Sequence, residues 1–302
     1  MKRDFLSIND ISSTETDQVI QRAKTLKEHP NNKSLAGKRI ALLFEKPSLR
    51  TKVSFQIGIH ELGGYSLYLS PDEVGLGSRE PVSDVARVLS GYVDCIIARV
   101  FSHHHLVELA EYANVPVINA LSDYEHPCQS VADLLTISEH KRELTGLKLA
   151  FIGDGNNVSR SLCLGLPGLG ISFSIATPNG YQLDADTINS ARNQASGPQV
   201  RIEPLISPEE AVMNADIVYT DVWASMGQEE ESNKRTEDFR GYTVTPELLA
   251  KANSNAIFMH DMPVHYGEEV QYGMLEHQQS VAYQQAHNRL HGQKALLELL
   301  LL

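Results

Sequence analysis

The chain has 302 residues, which is too long for one small hydrophobic core and fits two domains of roughly 150 residues each. Hydrophobic residues make up 42% of it and charged residues 21%, a composition that excludes extended disorder. The formal net charge of −12 disfavours a general binding surface for nucleic acid or for an anionic membrane. Local clusters of positive charge can still bind one small anion.

The cysteines and the N-terminal sequence indicate a cellular compartment. The three cysteines show no C-x-x-C spacing and are odd in number, so they predict neither a disulfide framework nor a thiolate zinc site. The first residues, MKRDFLSINDISS, lack the apolar core of a signal peptide, and no run approaches the roughly 18 apolar residues of a membrane span. We therefore expect a cytoplasmic protein.

The first half of the chain alternates between predicted strands and predicted helices. Ser12, Ser13 and Thr14 offer caps for an opening helix. Further along, apolar runs predict strands at 39–44, 65–69, 95–99 and 115–119, and apolar residues at helical spacing predict helices at 51–62, at 82–89 and from Pro127 onwards. This alternation is typical of a parallel sheet that is covered on both faces by helices.

The pattern restarts after a polar stretch, SEHKRELT, at 138–145. Strands are predicted at 147–153, 172–177, 217–220 and 256–259, with a long helix from about Asp184 and helical character at 285–302. The predicted fold class is therefore α/β, with two doubly wound parallel-sheet domains at 1–137 and 138–286. Ligands of such sheets bind outside the carboxyl ends of the strands.

The segment FEKPSLRTKVSF at 44–55 is the most informative motif. It places Ser48, Arg50 and Thr51 where a buried strand gives way to a helix. The free N–H groups and the positive end of the helix dipole favour an anion there, and Arg50 adds a planar bidentate donor. An ordinary helix cap with a solvated arginine is the alternative for this segment alone.

Two further motifs in the first half carry candidate polar contacts. Arg99 ends the apolar strand CIIAR, where a charge is costly unless it has an anionic partner or reaches water. His126 and Gln129 lie three residues apart at a helix start, so both can face one point. A strand-end arginine in water and a capping histidine are the alternative interpretations.

The second half contains two more candidate binding segments. The loop at 153–157, GDGNN, lacks the third glycine of a dinucleotide-binding loop and has Thr177 and Pro178 where an acidic residue would stand, so a Rossmann dehydrogenase is only the second choice. The segment DVWASMG at 221–227 offers an acceptor for an ammonium group and donors for a carboxylate, although it could also be an ordinary loop.

In this order, and together with HDMP at 260–263 and NRLH at 288–291, the motifs resemble those of the ornithine carbamoyltransferases in the aspartate/ornithine carbamoyltransferase family. The resemblance implies transfer of the carbamoyl group from carbamoyl phosphate to L-ornithine, giving L-citrulline and phosphate, a step of arginine metabolism. It implies a carbamoyl phosphate domain, an ornithine domain, an active site in the cleft between them, and a segment at 287–302 that packs back on the first domain. It also implies no cofactor or metal, and a homotrimer or a multiple of trimers.

The resemblance also assigns roles to residues. The catalytic groups it implies are Arg99, His126, Thr51 and Asp261. Carbamoyl phosphate would be bound by Ser48, Leu49, Arg50, Thr51, Arg99, His126, Gln129, Met262 and Arg289. Ornithine would be bound by Asn157, Asp221, Ser225 and Met226.

The chain departs from the family pattern at two places. Asp261 stands where these enzymes usually carry cysteine, and a carboxylate within about 4 to 6 Å of an amine favours its ammonium form. Asp261 could act as the base, or the substrate could be another amine-bearing amino acid. A non-catalytic paralogue that binds a phosphate metabolite is a further alternative. The region that reaches a neighbouring subunit in the family reads GSREP at 77–81, with Arg79 as the candidate group.

Overall fold

The computed structural model describes residues 2–30, 32–225 and 229–302. The chain divides into two compact units. The first comprises Met1–Leu135 with His287–Leu302, and the second comprises Thr136–Ala286.

The first unit is built on a four-stranded parallel sheet with strand order β2-β1-β3-β4. Its strands are β1 (Arg39–Phe44), β2 (Tyr65–Leu69), β3 (Cys95–Arg99) and β4 (Val117–Leu121). The two central strands are almost wholly buried, which explains their continuous apolar runs. In the register of β1 with β3, Phe44 lies opposite Arg99, so both strands deliver their last residues to one edge.

Helices cover this sheet. They are α1 (Ser13–Glu28), α2 (Leu49–Glu61), α3 (Pro71–Val74), α4 (Val82–Ser90), α5 (His103–Tyr112) and α6 (Pro127–His140). The helix α1 begins with a capping box in which the side chains of Ser12 and Glu15 each accept from the other residue's backbone N–H. Its buried residues Val19, Ala23 and Leu26 recur at helical spacing, as the sequence predicts.

The last helix, α12 (Ala282–Leu301), brings distant sequence to the first unit. Lys294 is fully buried, and its ammonium group lies 2.5 Å from Glu61 Oε2 and donates to Leu26 O at 3.2 Å. Glu298 forms an ion pair with Arg22 at 2.5 Å. Charged groups buried in this way need such partners, so these contacts fix the position of α12 against α1 and α2.

The second unit contains a five-stranded parallel sheet of order β7-β6-β5-β8-β9. Its strands are β5 (Lys148–Ile152), β6 (Ser172–Ala176), β7 (Ile202–Leu205), β8 (Ile217–Thr220) and β9 (Ile257–His260). The helices are α7 (Asn157–Gly165), α8 (Ala185–Asn193), α9 (Pro208–Val212), α10 (Ser232–Asp238) and α11 (Pro246–Leu249). The strand order reverses direction between β5 and β8, the place where doubly wound sheets bind ligands.

The predicted fold class, with two parallel-sheet α/β domains, is confirmed. Some boundaries were wrong. The strand β4 begins at Val117 rather than at 115, because Pro116 has no N–H for the ladder. The predicted long helix at Asp184 ends at Asn193, and the edge strand β7 was not predicted because it exposes Glu203 and Pro204. Among the described residues, no helix is both long and apolar enough to cross a membrane.

Candidate active site

In the first unit, the predicted anion motif lies at the turn from β1 into α2. Ser48 occupies the N-cap position with extended backbone, yet its side chain does not cap the helix. Its hydroxyl instead donates to Thr51 Oγ1 at 3.0 Å. Leu49 is exposed and Arg50 is half-buried in the first turn. The N–H groups of this turn therefore point out of a helix start that carries no acidic residue.

Two buried arginines converge on the same threonine. Arg289 Nη2 donates to Thr51 Oγ1 at 2.6 Å, and Arg99 Nη1 donates to it at 3.5 Å. Arg289 Nη1 also donates to Gln129 Oε1 at 3.0 Å. The exposed fractions of Arg99 and Arg289 are only 5% and 3%. The structure thus brings together residues from β3, α2, α6 and α12 that are far apart in sequence.

Gln129 and His126 lie at the start of α6 and are both buried. The amide nitrogen of Gln129 donates to Asp133 Oδ1 at 2.8 Å, which fixes the amide so that its oxygen faces Arg289. Burial lowers the pKa of His126 well below its usual value, and Arg289 and Arg99 lower it further. His126 is therefore a neutral imidazole that can donate one hydrogen bond without adding positive charge.

The electrostatic character of this cluster is cationic. Arg289 bonds to a hydroxyl and to an amide oxygen, both neutral acceptors, while Arg99 shares the hydroxyl. Two buried guanidinium groups at one hydroxyl repel each other, and a bound dianion would offset that repulsion through bidentate contacts. The arrangement can bind a phosphate and polarise a carbonyl oxygen beside it.

In the second unit, the loop after β5 carries Asp154, Asn156 and Asn157. Gly155 is required there because a Cβ atom would lie 2.5 Å from backbone atoms of both Tyr181 and Leu183. Asn156 caps α7 by accepting from the N–H groups of Val158 and Ser159, and Asn157 is the first helical residue. Asn157, the residue predicted to contact substrate, is half-buried.

Asn156 was missed by the sequence interpretation, although it forms the direct link to Asp221. Its amide nitrogen donates to Asp221 Oδ2 at 2.7 Å, and the N–H of Val222 donates to Oδ1 at 2.7 Å. The two adjacent asparagines are equivalent in sequence, and the capping position alone could have distinguished them.

Asp221, at the end of β8, lies beside Asp261, at the end of β9. Both are buried, and an oxygen atom of each lies within 4.8 Å of the other and of a ring nitrogen of His260. Burial raises the pKa of Asp221 well above its usual value, and the neighbouring Asp261 raises it further. The two carboxyl groups therefore share a proton more readily than two solvated carboxyl groups would.

His260 holds the backbone that follows Asp261. Its Nδ1 accepts from the N–H of Met262 at 2.8 Å, and its Nε2 lies 3.2 Å from Glu269 Oε1. These partners assign the proton to Nε2. Met262 has φ of +61°, a left-handed conformation that costs free energy for a residue with a side chain. Asp221, His260 and Asp261 could together ligate a cation, but it would have to displace the contact with Met262.

Ser225 is half-buried in the segment after β8, and Met226 lies outside the described residues. The structure adds a second residue that the sequence did not indicate. Arg235, on α10, is buried and donates to Asp154 Oδ2 and to Trp223 O, both at 2.8 Å. No local sequence signal marks an arginine in a polar helix as buried.

Arg79 is exposed and lies in the loop between α3 and α4. Its guanidinium donates to Glu73 O of its own chain at 3.1 Å. Its predicted role toward a neighbouring subunit stays a prediction.

Family models match nearly the whole chain. Residues 3–139 match the carbamoyl-P binding domain of aspartate/ornithine carbamoyltransferase, and residues 145–300 match the Asp/Orn binding domain. This chain belongs to the aspartate/ornithine carbamoyltransferase family. The second match includes most of α12, although that helix from His287 onward clusters with the first unit.

Individual family members are similar over nearly their full lengths. The ornithine carbamoyltransferase of Carboxydothermus hydrogenoformans is 48% identical over 99% of this chain and 97% of its own length. The solved ornithine carbamoyltransferase of Pyrococcus furiosus is 44% identical with a TM-score of 0.95, covering 99% of this chain and 97% of that one. The Thermus thermophilus ornithine carbamoyltransferase structure is 40% identical with a TM-score of 0.91, and each chain is covered completely.

Proposed function

We propose that this protein transfers the carbamoyl group of carbamoyl phosphate to the side-chain amine of L-ornithine, giving L-citrulline and phosphate. The observation that carries the proposal is the convergence of Ser48, Arg99 and Arg289 on Thr51 at a helix start. Membership of the family and the similarity to ornithine carbamoyltransferases support it.

The residues of the first unit would bind and activate carbamoyl phosphate. The N–H groups of the first turn of α2, with Ser48, Leu49 and Arg50, would hold the phosphate. Arg99, Thr51 and the neutral His126 would donate to the carbonyl oxygen, where negative charge develops. Gln129 would accept from the carbamoyl amide, with Arg289 fixing its oxygen.

The residues of the second unit would hold the amino acid. Asn157, Ser225 and Met226 would contact its α-amino and α-carboxylate groups, and Asp221 would face an ammonium group. The proposal requires groups of both units, including Met262, to act on one pair of substrates.

The chemical step needs a neutral amine. Asp261 would take a proton from the side-chain ammonium, and the nitrogen lone pair would then form the N–C bond while the carbonyl electron pair moves to oxygen. On collapse of the tetrahedral intermediate, the electron pair on that oxygen re-forms the carbonyl, the C–O bond to phosphate breaks, and phosphate leaves with the electron pair of the broken bond. The remaining extra proton on nitrogen passes to the departing phosphate. Asp221 lies beside Asp261, so the two carboxyl groups would titrate as a coupled pair.

Ornithine is favoured over another amine because the similar proteins named above are ornithine carbamoyltransferases. A different amine-bearing amino acid is the second candidate, and the Asp261 substitution is the observation that favours it. We further propose a homotrimer or a multiple of trimers, with Arg79 reaching the site of a neighbouring subunit. A cytoplasmic location is supported by three cysteines that are all free and buried.

The test is a direct assay of transfer. The protein is incubated with carbamoyl phosphate and, separately, with ornithine, lysine and 2,4-diaminobutyrate, and the ureido product is measured. We expect a product with ornithine at the highest kcat/KM. A higher value with lysine or 2,4-diaminobutyrate would favour the second candidate, and no product with any amine would reject the carbamoyltransferase proposal.

A further inference from the structure

Arg235 is a buried cation in the second unit that the proposed reaction does not use. Only 6% of it is exposed, and it lies in α10, a short helix that otherwise faces solvent over most of its length. Its Nε donates to Glu231 Oε2 at 3.0 Å, and its guanidinium carbon lies 4.9 Å from the centre of the Tyr181 ring. Such packing restricts the side chain to one orientation.

One nitrogen of Arg235 joins two segments that are far apart in sequence. Nη1 donates to the carboxylate of Asp154, at the start of the loop after β5, and to the carbonyl oxygen of Trp223, after β8. These are the segments that hold Asn157 on one side and Asp221 with Ser225 on the other. The same segments meet again through Asn156 and Asp221.

We propose that Arg235 is a positioning residue for amino-acid binding: it fixes the spacing between the loop at 154–157 and the segment at 221–225. The inference rests on the proposed function, because it takes these segments as the ornithine-binding groups. Arg235 acts through Asp154 and Trp223, so its loss should displace the substrate contacts without removing any of them.

The charge balance of the pair supports this role. Burial raises the pKa of Asp154 to about 6, and Arg235 is the largest influence in the opposite direction. A buried carboxylate that loses its guanidinium partner becomes protonated or turns toward water, and either change releases the loop. Lysine cannot replace Arg235 fully, since a single ammonium lacks the planar fork that reaches Asp154, Trp223 and Glu231 together.

The experiment compares Arg235→Ala, Arg235→Lys and Asp154→Asn with the wild-type enzyme in steady-state kinetics. We expect the KM for ornithine to rise about 10- to 100-fold in Arg235→Ala, with partial recovery in Arg235→Lys, because small displacements of contacting groups cost that much. The KM for carbamoyl phosphate should change less than about twofold, since its proposed contacts lie largely in the first unit. Arg240→Ala, which alters an exposed arginine of the same region, is the matched control.

A double-mutant cycle separates positioning from general loss of structure. If Arg235 acts through Asp154, the combined variant Arg235→Ala with Asp154→Asn should raise the ornithine KM no further than Arg235→Ala alone. The inference would be overturned if the two substitutions multiplied each other's effect on the ornithine KM. It would also be overturned if the KM values for ornithine and carbamoyl phosphate changed equally. A folded Arg235→Ala variant with an unchanged ornithine KM would overturn it as well.

A measurement without substrate keeps this test distinct from the test of function. Hydrogen exchange should increase in Arg235→Ala at the backbone amides of 154–158 and 221–225, and stay unchanged at β1 and β3. If the wild-type enzyme forms no ureido product, the proposed function fails, and this exchange pattern still reports whether Arg235 fixes the two segments. Unchanged exchange in both segments would overturn the positioning role by itself.

Discussion

The two units carry opposite charges at the same structural position, the edge of the parallel sheet where its strands end. In the first unit, Arg99 and Arg289 converge at the carboxyl edge of a parallel sheet. In the second unit, the corresponding edge carries the buried carboxyl groups of Asp221 and Asp261. One edge is therefore suited to an anion and the other to a cation, although both sheets belong to the same fold class.

The difference shows that the fold determines where a site lies, whereas the side chains at that place determine its charge. Both edges are built from strand ends and helix starts, whose N–H groups favour anions. The first unit adds arginines to that tendency, whereas the second opposes it with carboxyl groups. The carboxyl group of Asp221 accepts two hydrogen bonds, from the amide of Asn156 and from the N–H of Val222, and these offset part of the free-energy cost of its burial.

The largest effect on turnover should come from removing a cation at the sheet edge of the first unit. We expect Arg99→Met to lower kcat by about 10² to 10³, because a donor to the developing oxyanion contributes about 2.7 to 4 kcal/mol. The control is Arg39→Met, which removes an exposed arginine from the start of β1. Steady-state kinetics with saturating substrates measures the effect. A fall in kcat of less than threefold would mean that Arg99 only packs against its neighbours at the end of β3 and has no role in the reaction.

Removing a carboxylate at the second edge should change the pH dependence. Asp261 raises the pKa of Asp221, so Asp261→Asn should lower that pKa and move the acidic limb of the kcat/KM profile to lower pH. Turnover should fall about 10- to 100-fold if Asp261 is the base. Ornithine, lysine and 2,4-diaminobutyrate should be compared, with Glu268→Gln as the control. Superimposable profiles and preferences would show that Asp261 has no role in the reaction.

The buried neutral histidine at the first edge should make stability depend on pH. The pKa of His126 is lowered in the folded protein, so the unfolded chain binds the extra proton below its ordinary pKa of about 6.5. Stability should therefore fall on acidification, by about 1 kcal/mol for this residue between pH 6.5 and 5.5. Urea unfolding of the wild type and of His126→Gln measures the difference. Equal pH slopes for both proteins would contradict a neutral His126.

The smallest effect concerns Arg79, outside both clusters. Because its side chain is exposed, Arg79→Ala should change the free energy of unfolding by less than about 0.5 kcal/mol. If Arg79 reaches a neighbouring subunit, the KM for carbamoyl phosphate should still rise several-fold. Arg87→Ala, at another exposed arginine of the first unit, is the control. An unchanged KM would remove Arg79 from the site.

The sequence predicted the arginine-bearing sheet edge of the first unit better than the aspartate-bearing edge of the second unit. Ser48, Thr51 and Arg99 lie where strand and helix patterns meet, so local periodicity identifies them. Arg289 was assigned through the family resemblance, and its contact with Thr51 depends on how α12 folds back. The same limit applied to the fold, where buried strands were predicted and the edge strand β7, with its exposed glutamate and proline, was not.

The second edge depends on contacts that no local pattern encodes. Asp221 and Asp261 end different strands, and only the sheet order makes β8 and β9 neighbours. Arg235 lies in a polar helix that is otherwise mostly exposed, yet it is buried against Asp154. Tertiary structure decides these cases, because burial of a charge requires partners from other elements.

The position of Arg289 on α12 has a consequence for synthesis of the chain. A ribosome makes residues 1–135 first and Arg289 only after the whole of the second unit, 136–286. A nascent first unit therefore lacks one of the two guanidinium groups at Thr51, together with the Lys294 and Glu298 contacts to α1 and α2. Domains of nascent chains generally fold in order of emergence. Here the pair of guanidinium groups at Thr51 is completed last, so the anion site of a half-made chain has Arg99 but not yet Arg289.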